Sequence, residues 1–254
     1  MKGRFNLKTL YFDCSSGISG NMVLGALTEI AQDEQYLIEE LKKLSIDGYK
    51  IEISKKLKNG IAGTYINVIV DGKDEYVHEH HIHKQEEHHH HEHRNLSDVN
   101  KIIDESSLDE KVKDLSKRIF LRVAKAESKV HNKSLEEVHF HEVGAIDSII
   151  DIVGTAILIS KIHPDKIISS IVNDGYGFIE CAHGIMPVPV PATTEIFANS
   201  DVKFRQIDVN TELVTPTGAA IIAEIAEEFT TLPAMKTEKI GWGAGLKEDR
   251  KSVV

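Results

Sequence analysis

The densest set of reactive side chains lies in Val138-His139-Phe140-His141-Glu142-Val143-Gly144. On an extended chain His139 and His141 project to one side, with Phe140 packed opposite. Two imidazoles so placed can hold a divalent transition metal, and Glu142 can accept a proton. Asp147 and Asp151 follow at a spacing of four, which places both on one face of a helix. The competing assignment is structural: Asp147 caps a helix and Asp151 is solvated.

A second concentration of metal-binding chemistry is looser. His78, His80, His81, His83, His88, His89, His90, His91 and His93 fall within sixteen residues, interleaved with Glu75, Glu79, Glu86, Glu87 and Glu92. Imidazole suits nickel, copper and zinc, and the affinity order alone selects none of them. The segment is internal and mixed with acids, which argues against a purification tag. A polar linker without a role is the alternative. Extended, sixteen residues reach about 50 Å, far enough to deliver an ion to a site elsewhere.

Two loops resemble anion sites. Asp13-Cys14-Ser15-Ser16-Gly17-Ile18-Ser19-Gly20 joins a strand to a helix, and backbone N–H groups at such a junction favour phosphate. Without Gly-Lys-Ser/Thr it is not a Walker loop. An ordinary Ser-capped turn is an equal reading. Asp13, at the strand end, is a candidate metal ligand. Thr215-Pro216-Thr217-Gly218 opens another helix with Pro at or near its first position, and taken alone such a start is more often a cap than a ligand site. Cys181-Ala182-His183-Gly184 pairs a thiol with an imidazole, or is a turn beside a core cysteine.

These motifs need elements to hold them. Thr9–Phe12 reads as a strand and Asn21–Ile30 as a helix. Gln35–Leu44 is a second helix, with Leu37, Ile38, Leu41 and Leu44 on one side. Tyr49–Lys55 and Ile61–Val70 read as a hairpin about Asn59-Gly60. Asp71–Arg94 has no apolar period and is expected to be a solvated, disordered His-rich loop. Ser97–Asp104, Asp109–Val130 and Asp147–Ile162 are expected helices. Lys166–Val172 reads as a buried strand before a Gly175-Tyr176-Gly177 turn. Pro187, Pro189 and Pro191 stiffen the next stretch, and a short helix opens at Pro191 or Ala192. Lys203–Val209 reads as a strand, Pro216–Glu228 as a helix, and Lys239–Gly245 ends in a Gly-rich turn. The class is α/β or α+β, with a mixed sheet, flanking helices and no internal repeat.

Composition narrows the function. The chain has 254 residues, with 30 Lys and Arg against 40 Asp and Glu, a formal charge of −10. That balance argues against a general nucleic-acid binder, which needs a basic face. Ile146–Ile162 carries Asp147, Asp151 and Lys161, so it is a buried helix and not a membrane span. Cys14 and Cys181, with no apolar signal segment, are expected to be reduced thiols in the cytoplasm.

Six motifs recur in a fixed order: Ser16-Gly-Ile-Ser-Gly-Asn-Met22, His139-Phe-His-Glu-Val-Gly-Ala-Ile-Asp-Ser-Ile-Ile-Asp-Ile-Val-Gly154, Cys181-Ala-His-Gly184, Pro187-Val-Pro-Val-Pro-Ala-Thr193, Glu212-Leu-Val-Thr-Pro-Thr-Gly-Ala-Ala220 and Gly241-Trp-Gly-Ala-Gly245. On these the chain resembles the N-terminal part of the LarC-type nickel-insertion family. The resemblance implies nickel insertion into a pyridinium bisthiocarboxylate mononucleotide, with CTP and a divalent cation associated with a further C-terminal region. It also implies a cofactor destined for lactate racemase-type enzymes, whose apo form is a possible partner. Asn21 stands where family members usually have Asp. The chain is therefore expected to be one nickel-insertion domain over 1–254, interrupted by the arm at 72–95, and to resemble a short N-terminal product of such a system. The expected roles are nickel gathering by the arm and nickel holding by His139 and His141, with Asp13 and Asp147 beside them. Proton acceptance falls to Glu142 or a histidine. The phosphate is expected at Ser15, Ser16, Gly17, Ser19, Gly20, Thr215, Thr217 and Gly218. Rival readings are a nickel chaperone or store without chemistry, a metal-dependent hydrolase, and an assembly partner.

Overall fold

The structure, a computed structural model, describes residues 7–70, 73–74, 94–138, 140, 143–181 and 183–245. Its centre is a helix, α5 (Ile146–Ile162; the preceding helices are given below), in which 13 of 17 residues are buried. A helix apolar around most of its circumference has no stable place except the middle of a core. On one side it meets α1 (Gly20–Ala31) and on another α4 (Glu110–His131). Gly154 permits the first contact, since a Cβ there would lie 2.7 Å from Leu24 Cδ1. Burial of each Leu or Ile along this seam contributes roughly 1.5–3 kcal/mol.

Three parallel strands lie beside this core in the order β1 (Thr9–Phe12), β5 (Lys166–Ser169) and β10 (Glu228–Phe229). Leu10 pairs with Ile167 and Phe12 with Ser169. The helix α2 (Glu34–Leu41) buries Leu37 and Leu41. The hairpin β2 (Tyr49–Lys58) and β3 (Ile61–Val70) closes with Lys58 opposite Ile61. Its two loop residues, Asn59 and Gly60, have φ of 50° and 83°. Positive φ at both positions is the twist-matched hairpin turn for which Asn-Gly is the favoured pair. The two-residue β4 (Lys73–Asp74) extends this antiparallel sheet. The Gly-rich tail covers β3: Thr64 N donates to Trp242 O at 2.7 Å, and Ala244 N donates to Thr64 O at 2.9 Å.

A reciprocal Asn95–Asp98 capping box starts α3 (Leu96–Glu105), and Asp109 caps α4. Each such cap is worth about 1 kcal/mol. No helix among the described residues is long and apolar enough to cross a membrane.

The mixed α/β class is as expected, but strand pairing is distributed over four small sheets among the described residues. The expected strand 166–172 is two strands. Ser170 N donates to Phe12 O, and the chain then leaves the first sheet. β6 (Val172–Asp174) pairs in parallel with β9 (Phe204–Gln206), which is shorter than the expected 203–209. The helix begun at Pro216 stops at Ile225 (α7, Pro216–Ile225), because Ala226 is extended and Glu227 N donates to Ile167 O. The turn at 175–177 leads into an unexpected hairpin, β7 (Phe178–Cys181) and β8 (Gly184–Pro187). Pro191 opens α6 (Pro191–Ala198) at its first position.

Candidate functional site

The loop after β1 leaves the carboxyl end of a parallel strand, the edge where open α/β sheets present ligand sites. Asp13 is exposed, and its Oδ1 accepts from Ser15 N at 3.0 Å and also from Ser15 Oγ. Gly17 N donates to Cys14 O, and Asn173 Nδ2 donates to Ser15 O at 2.7 Å. Gly17 has φ +91°, and any side chain there would collide with Leu213 O. Cys14 is fully buried, and burial pushes its thiol up to about 12. It is a core residue and not a nucleophile.

Two helix starts are drawn together next. Ile18 N donates to Leu213 O at 2.9 Å, and Thr215 N donates to Ile18 O at 3.1 Å. This short parallel bridge aligns the N-terminus of α1 with that of α7. A Cβ on Gly218 would strike Ile18 O, so the second helix needs glycine to approach. Asp174 anchors the bridge. Its fully buried Oδ1 accepts from Gly175 N, Leu213 N and Val214 N at 2.8, 2.8 and 3.2 Å.

The third participant is α5. A Cβ on Gly20 would lie 2.5 Å from Asp151 Oδ2 and 2.8 Å from Thr217 Cγ2. The Asp151 carboxylate therefore sits against both helix starts, 4% exposed, so the solvated reading of this residue is wrong. Asp147 is 7% exposed, and its Oδ1 accepts from Ser148 N at 2.7 Å. The cap residue of α5 is Ala145, not Asp147.

Donors converge here. Thr215 caps α7 by accepting from Gly218 N. Ser19, the cap residue of α1, makes no such bond and donates instead to Asn21 Oδ1 at 2.6 Å. Asn21 is 5% exposed, and its Nδ2 has no hydrogen-bond partner among the described residues. The first N–H groups of a helix have no intrahelical acceptor. The first residue of α7 is Pro216, without an N–H, and Gly218 N is held by Thr215, so the donors left at this point are the first N–H groups of α1, the Thr217 N–H and the Asn21 amide, at the positive ends of two helix dipoles.

The structure thus brings together Ser19, Gly20, Thr215, Thr217 and Gly218, all selected from the sequence, and leaves Asp13 and Ser15 bonded to each other on the adjoining turn. His139, His141, Glu142 and the nine arm histidines, His78 to His93, lie outside the described residues. Their flanks are described: Val138, Phe140 and Val143 are buried, Phe140 N donates to Arg94 O, and Arg94 Nη1 donates to Gly144 O at 3.1 Å. Val143 and Gly144 lie directly before the first turn of α5. Among the described residues no group of three or more His, Cys, Asp or Glu side chains is arranged to hold a metal ion. Sequence reasoning missed Asp174 and the amide of Asn21 as a donor. The first had no local signal, because its three partners come partly from residues 39 and 40 positions away.

A three-stranded parallel edge with two aligned helix starts and a buried carboxylate defines a mixed α/β protein whose candidate site lies at the strand ends. The family of nickel insertion proteins matches residues 10–253, so the chain belongs to that family. It is 54% identical over 242 residues to the pyridinium-3,5-bisthiocarboxylic acid mononucleotide nickel insertion protein of Acetivibrio thermocellus, covering 95% of this chain and 58% of that protein. The protein of the same name in Clostridium kluyveri is 48% identical, covering 95% and 59%. A putative nickel insertion protein of Dictyoglomus thermophilum is 47% identical, covering 95% and 58%. The chain thus spans less than two thirds of the length of these relatives. No solved structure matches it.

Proposed function

We propose that this chain carries the nickel-handling and precursor-binding part of a nickel insertion reaction on pyridinium bisthiocarboxylate mononucleotide. The observation that carries the reading is the junction of α1, α7 and Asp151, an anion-type cradle with a buried carboxylate at its wall, in a member of the nickel insertion family. The 5′-phosphate of a mononucleotide suits the orphan N–H groups at the start of α1, the Thr217 N–H and the Asn21 amide.

In the reaction Ni²⁺ gains two bonds to thiocarboxylate sulfurs and one to a ring carbon. The ring C–H breaks, its electron pair forms the Ni–C bond, and the proton leaves to a base. No electron is gained or lost. In this reading His139 and His141 hold the incoming ion, and Glu142 or one of these histidines takes the proton. Asp147 and Asp151 orient the imidazoles, as carboxylates commonly do behind metal-binding histidines. The arm histidines collect the ion. CTP and its divalent cation belong to a C-terminal region acting with this one, the site of action is the cytoplasm, and the product serves lactate racemase-type enzymes.

The test replaces His139 and His141 together by Ala in the complete system of both parts and measures nickel-containing mononucleotide. The expected result is loss of product with precursor binding retained. Unchanged product would overturn the assignment. Retained nickel binding without any product from the wild-type system would favour a store or chaperone.

A further inference from the structure

Cys181, His183 and Gly184 have no part in the cradle. They lie at the tip of the β7–β8 hairpin, where Gly184 takes φ +87° and Cys181 Sγ lies 3.5 Å from Gly184 O. The fold brings His183 from this tip against the last turn of α4. The rings of His183 and His131 have centroids 5.1 Å apart at an interplanar angle of 35°. One helical turn before His131, Glu127 is 8% exposed, and its Oε2 lies 3.2 Å from His131 Nε2.

We propose that His131 and His183 form a two-imidazole docking point for Ni²⁺, a station through which the ion passes on its way to the insertion site. The proposal rests on the nickel-handling function above.

Four physical features support it. Imidazole is a good donor for Ni²⁺, and two rings at this separation fit the first coordination sphere of one ion. Glu127 is the buried carboxylate that commonly stands behind a metal-binding histidine. By accepting the Nε2 proton it fixes the tautomer and leaves Nδ1 of His131 as the metal donor. His131 is in the last turn of a 22-residue helix, where the negative end of the dipole favours a cation. His183 is exposed, so the ion has an open approach. Two ligands cannot close a nickel coordination sphere. The remaining positions stay with water or with an incoming donor, which suits release better than storage.

The test uses the full-length chain with the nine arm histidines changed to Ser, so that the arm no longer takes up added metal. NiCl₂ is titrated by calorimetry at pH 7.5. In a second measurement substoichiometric Ni²⁺ is added while the imidazole resonances are followed by NMR. The expected result is paramagnetic broadening of the His131 and His183 rings together. His183→Ala should weaken the corresponding binding step at least tenfold, and E127Q should weaken it severalfold. His183 lies at an exposed turn, so its replacement spares the fold. Nickel binding unchanged in His183→Ala, or broadening that leaves both rings untouched, would overturn the proposal. Nickel insertion is assayed separately. Loss of insertion with this binding intact would count against the function proposed above and not against this site.

Discussion

Gly20→Ala is the sharpest probe of the cradle. Gly20 is helical, so alanine there has no φ penalty and would gain up to about 1 kcal/mol in helix propensity. The added methyl, however, would sit 2.5 Å from Asp151 Oδ2, 2.8 Å from Asp151 Cβ and 2.8 Å from Thr217 Cγ2. All three are below any real Cβ contact, and Asp151 Cβ, at the base of a buried side chain, cannot swing away. Overpacking of this kind costs about 1–3 kcal/mol. The expected net loss is about 1–2 kcal/mol, which at 2–4 °C per kcal/mol for a domain of this size lowers the melting temperature by roughly 2–8 °C. Calorimetry or urea denaturation reads the loss directly. Gly20→Ala combined with Asp151→Ala should recover part of it, because the carboxylate oxygen then no longer opposes the methyl, and a coupling of about 0.5 kcal/mol or more is expected for groups in contact. Precursor binding by Gly20→Ala should also fall, since the methyl displaces the cradle wall. A Gly20→Ala protein as stable as wild type, with no coupling to Asp151 and unchanged precursor binding, would refute the placement of Asp151 against the two helix starts.

Asp174→Ala strands three buried backbone N–H groups and should cost about 3 kcal/mol or more in urea denaturation, whereas Asp174→Asn keeps an acceptor and should cost distinctly less. Desolvation pushes Glu29 up, but the Lys55 ammonium, Trp242 N–H and Thr64 hydroxyl outweigh it and hold the carboxyl below its usual range. Its contribution is therefore complete above about pH 4.5, the unfolded value, and is lost as pH falls through the lower folded value. Glu29→Gln should flatten that acid limb of the urea midpoint against pH and leave the slope near pH 7 unchanged. Thiol titration of the native protein should modify Cys181 within minutes and Cys14 only after denaturation, because the buried thiol is held near 12.

What was legible in the sequence follows from how local each signal is. Asn59-Gly60 fixes its own turn, so the hairpin about it was readable, although its first strand runs to Lys58 and not only to Lys55. The helix within 146–162 was readable because its apolar run is too long for a strand and carries Asp147 and Asp151. The break after Ser169 was not, since nothing in Lys-Ile-Ile-Ser-Ser-Ile-Val reports that Phe12 O captures Ser170 N. Likewise Glu228-Phe229 continues a helical pattern in sequence, and only the empty edge of β5 draws it into a strand. At the site, glycines 17, 20 and 218 were chosen for backbone access to phosphate. The structure adds a packing requirement at each, from Leu213, Asp151 and Ile18 respectively. The burial of Asp151 depends on α1 and α7, which lie far from it in the chain, so spacing alone left it ambiguous.

The Ile18–Val214 bridge sets a schedule for assembly. The loop it closes runs 214 − 18 = 196 residues. Closing a flexible loop of that length carries an entropic cost of roughly 5 kcal/mol, which must be met before the bridge returns any stability. The cradle is therefore expected among the later parts of the fold to form, while the helix pairs around α5 can consolidate earlier. During synthesis a nascent chain that has emerged only as far as residue 93 already carries the nine histidines proposed to collect nickel, yet lacks the segment 213–218 that completes the proposed cradle. Precursor bound across the bridge would in turn hold the two distant segments together, so hydrogen exchange at Ile18 and Thr215 should slow on adding precursor more than exchange in the middle of α5.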